Sequence, residues 1–294
     1  MTDVPHKYLT TRELADLLRI KERKVYELAA DGEVPCSRAM GKLLFPRDQV
    51  DAWLAANSSG SPVAVGASRP AVMLGSHDPL LDWAMRESRC GLAAYFDSSL
   101  DGLTRFANNA GIAAGLHIPD ASGEGWNVQA VKASTPGEAV VLIEWATRQR
   151  GLITPADNAA GLESLSDLKG RKMAARQPEA GSQVLLHKLL AEAGIEASDI
   201  DWQGPVRSET DAAAMVQEGA ADAAFGLACV AAQHRLSFVA VAHERYDLLV
   251  DRRAWFEPPM QTLIGFCRSA QFASRANVMQ GYDVSNQFQV HYNA

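Results

Sequence analysis

Arg19, Lys21, Arg23 and Lys24 crowd into one short stretch of the sequence, with Tyr26 just beyond them. Cations gathered at the start of a helix reach guanine edges or phosphate oxygens in a major groove, and a tyrosine beside them adds a phosphate or base contact. Arg38 and Lys42 flank Gly41, a tight-turn signal, where they would meet the adjacent backbone or minor groove. A second group of residues suits different chemistry. Gly75-Ser76-His77-Asp78, Asp97-Ser98-Ser99 and Gly115–His117 each close an apolar run, and Arg176-Gln177 followed by Gly181-Ser182 does the same further on. Hydroxyls and unpaired helix N–H groups at such junctions bind anions, and two sets facing each other make an anion clamp.

The cations need a scaffold, and the surrounding residues spell one. Thr10 or Thr11 is a good helix N-cap, with Glu13 nearby, and Leu14, Leu17 and Leu18 give the stripe of a short amphipathic helix. Arg19-Ile20 breaks it. A second helix follows with Val25, Leu28 and Ala29 inward and Asp31-Gly32 at its end. Two extended runs around Gly41-Lys42 and a helix opening at Pro46, with Val50, Trp53 and Leu54 as its apolar face, complete a winged helix-turn-helix layout. The stretch YLTTRELADLLRIKERKVYELAADGEVPCSRAMGKLLFPRDQVDAWL resembles the small excisionase/MerR-type DNA-binding domains over nearly all of residues 8–55. Lys24 or its neighbours stand where that pattern has Ser or Thr. The resemblance implies DNA contacts by Lys21, Arg23, Lys24, Tyr26, Arg38 and Lys42.

From Ala71 short apolar runs alternate with helical patterns. Strands are expected at Ala71–Gly75, Gly91–Phe96, Ile112–His117, Ala139–Trp145, Arg171–Arg176, Ala221–Leu227 and Phe238–Ala242, and helices at Leu80–Ser88, Leu100–Ala107, Ser182–Ala193 and Ala212–Gln217. This alternation predicts an α/β fold of parallel sheets covered on both faces. GSHDPLLDWA, FDSSLDGLTRFANNAGIAAGLHIPD, GEGWN, RQRGLITP, ARQPEAGSQVLLHKLLAEAGI, ERYDLLV and GYDVS resemble the type II periplasmic-binding-protein-like domain of the molybdate-binding type, which is found fused to helix-turn-helix regulators. The match runs across most of residues 71–284. It implies two α/β lobes joined by crossing strands, with a tetrahedral oxyanion such as molybdate or tungstate held between them as effector. On this resemblance Ser76, Ser99, Arg176, Gln177, Gly181, Ser182 and Tyr246 are the ligand-binding residues. Glu179-Ala180 stand where the family has Gly-Ser, and Gln183 where it has Arg. An organic acid or a cofactor-like molecule therefore stays open as the ligand.

At roughly 150 residues per domain, the 294 residues predict two domains. The small-residue stretch NSSGSPVAVGASRP divides them, giving a DNA-binding domain over 1–57, a linker over 58–70 and a sensor over 71–294. The net charge of −7 argues against a general nucleic-acid coat, but it is unevenly shared. Residues 1–57 hold nine Lys/Arg and nine Asp/Glu, so the sensor carries the whole surplus. Cys36, Cys90, Cys229 and Cys267 are scattered without metal or disulfide spacing, and buried reduced thiols are expected. No signal-peptide pattern or bilayer-length apolar run is present, so a cytoplasmic protein without membrane contact is expected.

Other readings carry less. Ser76-His77-Asp78 are consecutive, and a catalytic triad needs mutual hydrogen bonds that neighbours rarely make. His117 reads as a hydrogen-bonded structural histidine. No HExxH, P-loop or GxGxxG supports metal or nucleotide chemistry. Trp83, Trp126, Trp145 and Trp202 read as core or hinge residues, with Trp126 a candidate for the cleft edge. The expectation is a non-enzymatic, one-component transcription regulator. It would bind promoter DNA, sense a small anion without any cofactor, and act as a homodimer. An enzyme built on the same cleft, and a binding protein whose helix-turn-helix contacts another protein, are the alternatives.

Overall fold

A computed structural model describes residues 7–39, 41–56, 69–120, 125–158 and 161–294. The chain divides into two units, Met1–Ser68 and Arg69–Ala294. Most of the expected linker, and the first two residues of GEGWN, lie outside the described residues.

The first unit runs β1 (Tyr8–Leu9), α1 (Thr11–Leu18), α2 (Glu22–Ala30), β2 (Ser37–Ala39), β3 (Lys42–Pro46) and α3 (Arg47–Ala56). Thr10 caps α1 in a reciprocal box. Its hydroxyl accepts from the Glu13 N–H at 3.3 Å, and its own N–H donates to the Glu13 carboxylate at 2.7 Å. Arg19, in the left-handed conformation with φ 53°, ends α1 and aims the chain into α2. The three strands pair in the order β1-β3-β2, turning at Gly41, whose φ of +76° favours glycine. Leu14, Val25, Phe45 and Val50 are fully buried at the centre. The third helix opens at Arg47, one residue beyond the expected Pro46, which closes β3 opposite Tyr8.

The second unit continues with β4 (Val72–Gly75), α4 (Pro79–Ser88), β5 (Ala93–Phe96), α5 (Ser99–Ala107), β6 (Ala113–Leu116), α6 (Val128–Ser134), β7 (Val140–Thr154), β8 (Lys172–Arg176), α7 (Gly181–Glu192), β9 (Asp201–Val206), α8 (Glu209–Gln217), β10 (Ala223–Leu227), α9 (Ala228–Gln233), β11 (Ser237–Asp251), α10 (Pro258–Cys267), α11 (Ala270–Val278), β12 (Tyr282–Asp283) and β13 (Val290–Asn293). One sheet threads it in the order β5-β4-β6-β11-β7-β10-β8-β9, with β12 and β13 also on β7. The outer strands of each end pair parallel, β4 with β5 and β6, and β8 with β9 and β10.

The centre is antiparallel, unlike the parallel sheets read from the strand–helix alternation, and supplies the crossing strands that the resemblance implies. β7 and β11 have 15 residues each and pair antiparallel from Val140 opposite Asp251 to Thr154 opposite Ser237. Fifteen residues rise roughly 50 Å, enough to cross both lobes. The expected strands Ala139–Trp145 and Phe238–Ala242 are parts of these two. Their polar centres, Thr147 to Arg150 and His243 to Arg245, interrupt the apolar pattern by which strands are read. The strand β9 and the helices α6, α9, α10 and α11 were also not expected. Separate apolar clusters around Met73 and Leu74 fill one lobe, and others around Met173 and Ala224 fill the second. Arg69 is fastened to the first lobe. Its guanidinium donates to the Phe106 carbonyl and to Glu138, stacks 4.2 Å from the Phe106 ring and faces Asp251 at 3.4 Å.

Candidate functional site

On the first unit, Val25 and Ala29 anchor α2 in the core, which turns Arg23 and Tyr26 outward. Tyr26 is 54% exposed, unusual for a large ring on so small a domain. Arg23 and Lys24 each face Glu27 at 3.4 Å, pairs too exposed to add much stability but able to hold both cations on one turn. Lys21 is the exposed N-cap of α2 and makes no side-chain cap bond. Lys42 is exposed on β3, while Arg38 on β2 reaches back to the Ala29 carbonyl at 3.4 Å. The wing hydrogen bond thus ties Arg38 to the end of the helix that carries the cations.

On the second unit a cleft of about 430 Å³ opens between the lobes. Ser76, Arg176 and Ser182 line it. Ser99, Gly181 and Tyr246 stand directly behind, and Gln177 reaches across the lobes to donate to Asp97 at 3.2 Å. Ser76 follows β4 and Ser99 opens α5, so their hydroxyls meet at 2.8 Å. Tyr246, buried on β11, donates to the Ser76 carbonyl at 2.5 Å. Arg176 is held at the end of β8 by donation from Nε to the Val206 carbonyl at 3.2 Å and from Nη2 to the Arg207 carbonyl at 2.7 Å. Burial pulls its guanidinium below the ordinary pKa, against the opposing influence of Glu209. Gln183 accepts from the Arg176 N–H at 2.9 Å and meets His187, so it is spent inside its own lobe.

Behind these residues lies a buried charge network that sequence reading missed. Asp78 caps α4 and accepts from the Leu81 N–H, the Trp145 indole, the Tyr282 hydroxyl and Arg148. Arg148 also bonds Glu244, and Arg150 contacts Glu244 at 2.7 Å and bonds Glu209. His117 completes the set, with Nδ1 2.9 Å from Glu244 and Nε2 3.1 Å from Ser76 Oγ. Burial pushes the Glu244 carboxyl up, but Arg148, Arg150 and His117 together outweigh it and hold it far below the usual range. His117 therefore is the bonded, buried histidine expected of it, and it also lines the cleft. The Pro after Asp78, a helix-opening pattern, and the charges inside β7 and β11 were the available signals.

Charge at the cleft is unevenly matched. Arg86 pairs with Asp82 at 3.0 Å, Arg207 faces Asp97 at 3.7 Å, and Glu209 is taken by Arg150 and the Leu227 N–H. Among the described residues this leaves Arg176 and Arg275 as lining arginines with no carboxylate within ion-pair distance, although Glu209 acts on Arg176 from further off, which suits an anionic ligand. No cluster of three or more His, Cys, Asp or Glu among the described residues is arranged to hold a metal ion. All four cysteines are free, two of them half-buried rather than buried.

A model of the PBP superfamily domain matches residues 82–268, most of the second unit. The chain belongs to the PBP superfamily. This PBP-superfamily member is also a fusion, since a helix-turn-helix domain model matches residues 8–58. The uncharacterized protein YvgK of Bacillus subtilis (strain 168) is 23% identical over 292 residues, 93% of this chain and 94% of its own. The tungstate ABC transporter structure from Geobacter sulfurreducens shares the fold with a TM-score of 0.53 at 12% identity, over 71% of this chain and 98% of that one. The effector binding domain of a BenM variant does so with a TM-score of 0.50 at 12% identity, over 73% and 99%. No helix among the described residues is long and apolar enough to cross a membrane.

Proposed function

We propose that this PBP-superfamily chain is a one-component transcription regulator. Its helix-turn-helix unit binds promoter DNA through Lys21, Arg23, Lys24, Tyr26, Arg38 and Lys42, and its two-lobed unit senses a small anion. The observation that carries the reading is the fusion itself, a helix-turn-helix domain at 8–58 followed by a binding-protein domain whose cleft has cations without carboxylate partners. Ligand held by both lobes favours their closed arrangement, and the regulator works if that arrangement binds DNA differently from the open one. Homodimerisation, with operation in the cytoplasm, turns lobe movement into a change of spacing between two recognition helices. No catalytic step is assigned to the cleft.

Molybdate and tungstate are the inorganic effectors that suit its serine-lined end. The tungstate transporter's shared fold supports testing them first. A gel shift on the promoter of the chain's own gene, with and without molybdate, tungstate, sulfate and phosphate, tests the scheme. DNA binding that responds to an anion is the expected result. An effector should also stabilise the chain by about 2.7 kcal/mol at a hundredfold excess over Kd. Absence of DNA binding in every condition would sink it.

A further inference from the structure

The cleft offers more than a tetrahedral ion uses. Such an ion displaces on the order of three waters at ~30 Å³ each, against a cleft of about 430 Å³ that falls in the size class of sites for organic ligands. Its walls are also unequal along their length. The buried end holds Ser76, His117 and Ser182 with Arg176, whereas Trp83 and Phe96 of the first lobe are half-buried and supply apolar surface, with the buried core residues Leu227 and Val230 of the second lobe behind the lining. Arg275 lies at the exposed rim, 5.7 Å from the centre of the Trp83 ring.

The charge at the buried end is that of a single counter-ion. Arg176 is the only arginine there without a carboxylate partner among the described residues, and Nε and Nη2 are already donating to carbonyls, which leaves Nη1. Gln183 is neutral and bonded to Arg176 N and His187. One partly engaged guanidinium, with the Glu209 carboxylate close by, matches one negative charge better than two.

We propose that the effector is an organic monoanion whose carboxylate sits at the Ser76–Ser182–Arg176 end and whose flat apolar body lies against Trp83 and Phe96. This rests on the reading of the cleft as an anion sensor and puts an organic anion in the place of molybdate or tungstate as its effector. Flat rings bury large area on an indole and add offset-stacking energy, which a free oxyanion cannot do.

Isothermal titration of the full chain with benzoate and phenylacetate, set beside molybdate, tungstate and sulfate, tests it. An aryl carboxylate is expected to bind at least tenfold tighter than each inorganic ion. Trp83→Leu, which keeps apolar bulk, and Arg275→Ala at the exposed rim should each reduce that ratio severalfold. Molybdate or tungstate binding as tightly as the aryl carboxylates, or a ratio unmoved in both variants, overturns the proposal while leaving an anion sensor. Binding by neither class overturns the anion reading itself.

Discussion

The ring of His117 occupies the space that a β-carbon on Gly181 would need, with Cε1 2.6 Å from that position. Gly181 opens α7 in the second lobe and His117 directly follows β6 of the first, so the lobes touch here backbone to ring. Glycine is required by this close approach. Gly181→Ala should push the start of α7 off the histidine and weaken effector binding about tenfold, near 1.4 kcal/mol. Titration of the variant with the effector found by gel shift checks this, and an unchanged Kd would show that the contact plays no part in closure.

Arg148 joins Asp78 of the first lobe to Glu244 on the crossing strand, wholly out of water. Removing one partner of such a pair leaves an uncompensated buried charge and costs about 3–5 kcal/mol. Arg148→Met should therefore lower Tm by roughly 10 °C, at 2–4 °C per kcal/mol for a unit of this size. Calorimetry decides; a shift within a degree or two would mean that water reaches the site.

Acid should destabilise the second unit in two steps. His117 is held below its ordinary pKa by burial, against the pull of Glu244, so the unfolded chain takes up its proton first. Its contribution is present above the unfolded value of about 6.5 and fades as pH falls below it. Glu244 is depressed by its arginines, so its contribution is present above about 4.3 and is lost on further acidification. Urea midpoints measured from neutral to acid pH should fall through both windows. His117→Gln should flatten only the upper one.

The same histidine should couple anion binding to protons. With Nδ1 donating to Glu244, neutral His117 accepts the Ser76 proton at Nε2, and Ser76 has none left for a ligand. Protonation reverses that bond and frees the hydroxyl. Because burial holds His117 below its ordinary pKa, affinity should rise as pH falls below about 6.5, with proton uptake visible as a buffer-dependent heat. The neighbouring Arg148 and Arg150 resist the second charge, so the slope should stay below one proton. A flat profile rules the coupling out.

On the first unit, Arg23→Ala should weaken DNA binding and reduce the slope of log K against log salt by about one. Effector affinity should not change. Ser182→Ala should do the reverse, and equal effects of both variants on both assays would contradict a division of labour.

The small unit was legible in detail because its signals are local. A capping box, a leucine stripe and a turn glycine fix α1, α2 and the wing, and only the start of α3 moved, by one residue. In the larger unit the strand-end hydroxyls were also legible, since Ser76, Arg176 and Ser182 reached one cleft. The crossing strands followed from the resemblance, but their length and charge network were not legible, because buried Arg148, Arg150 and Glu244 read as surface residues until their partners, 59 to 96 positions away in sequence, are seen to neutralise them. Long-range pairing has no local periodicity. His117 illustrates the point, as its meaning depends on Glu244, 127 residues further along.

Arg69, clamped by Glu138, Asp251 and the Phe106 carbonyl, makes the first lobe the fixed jaw of the sensor. The second unit is therefore rooted in the first lobe at its first residue. If the cleft closes on an effector as proposed, the second lobe moves relative to that anchor.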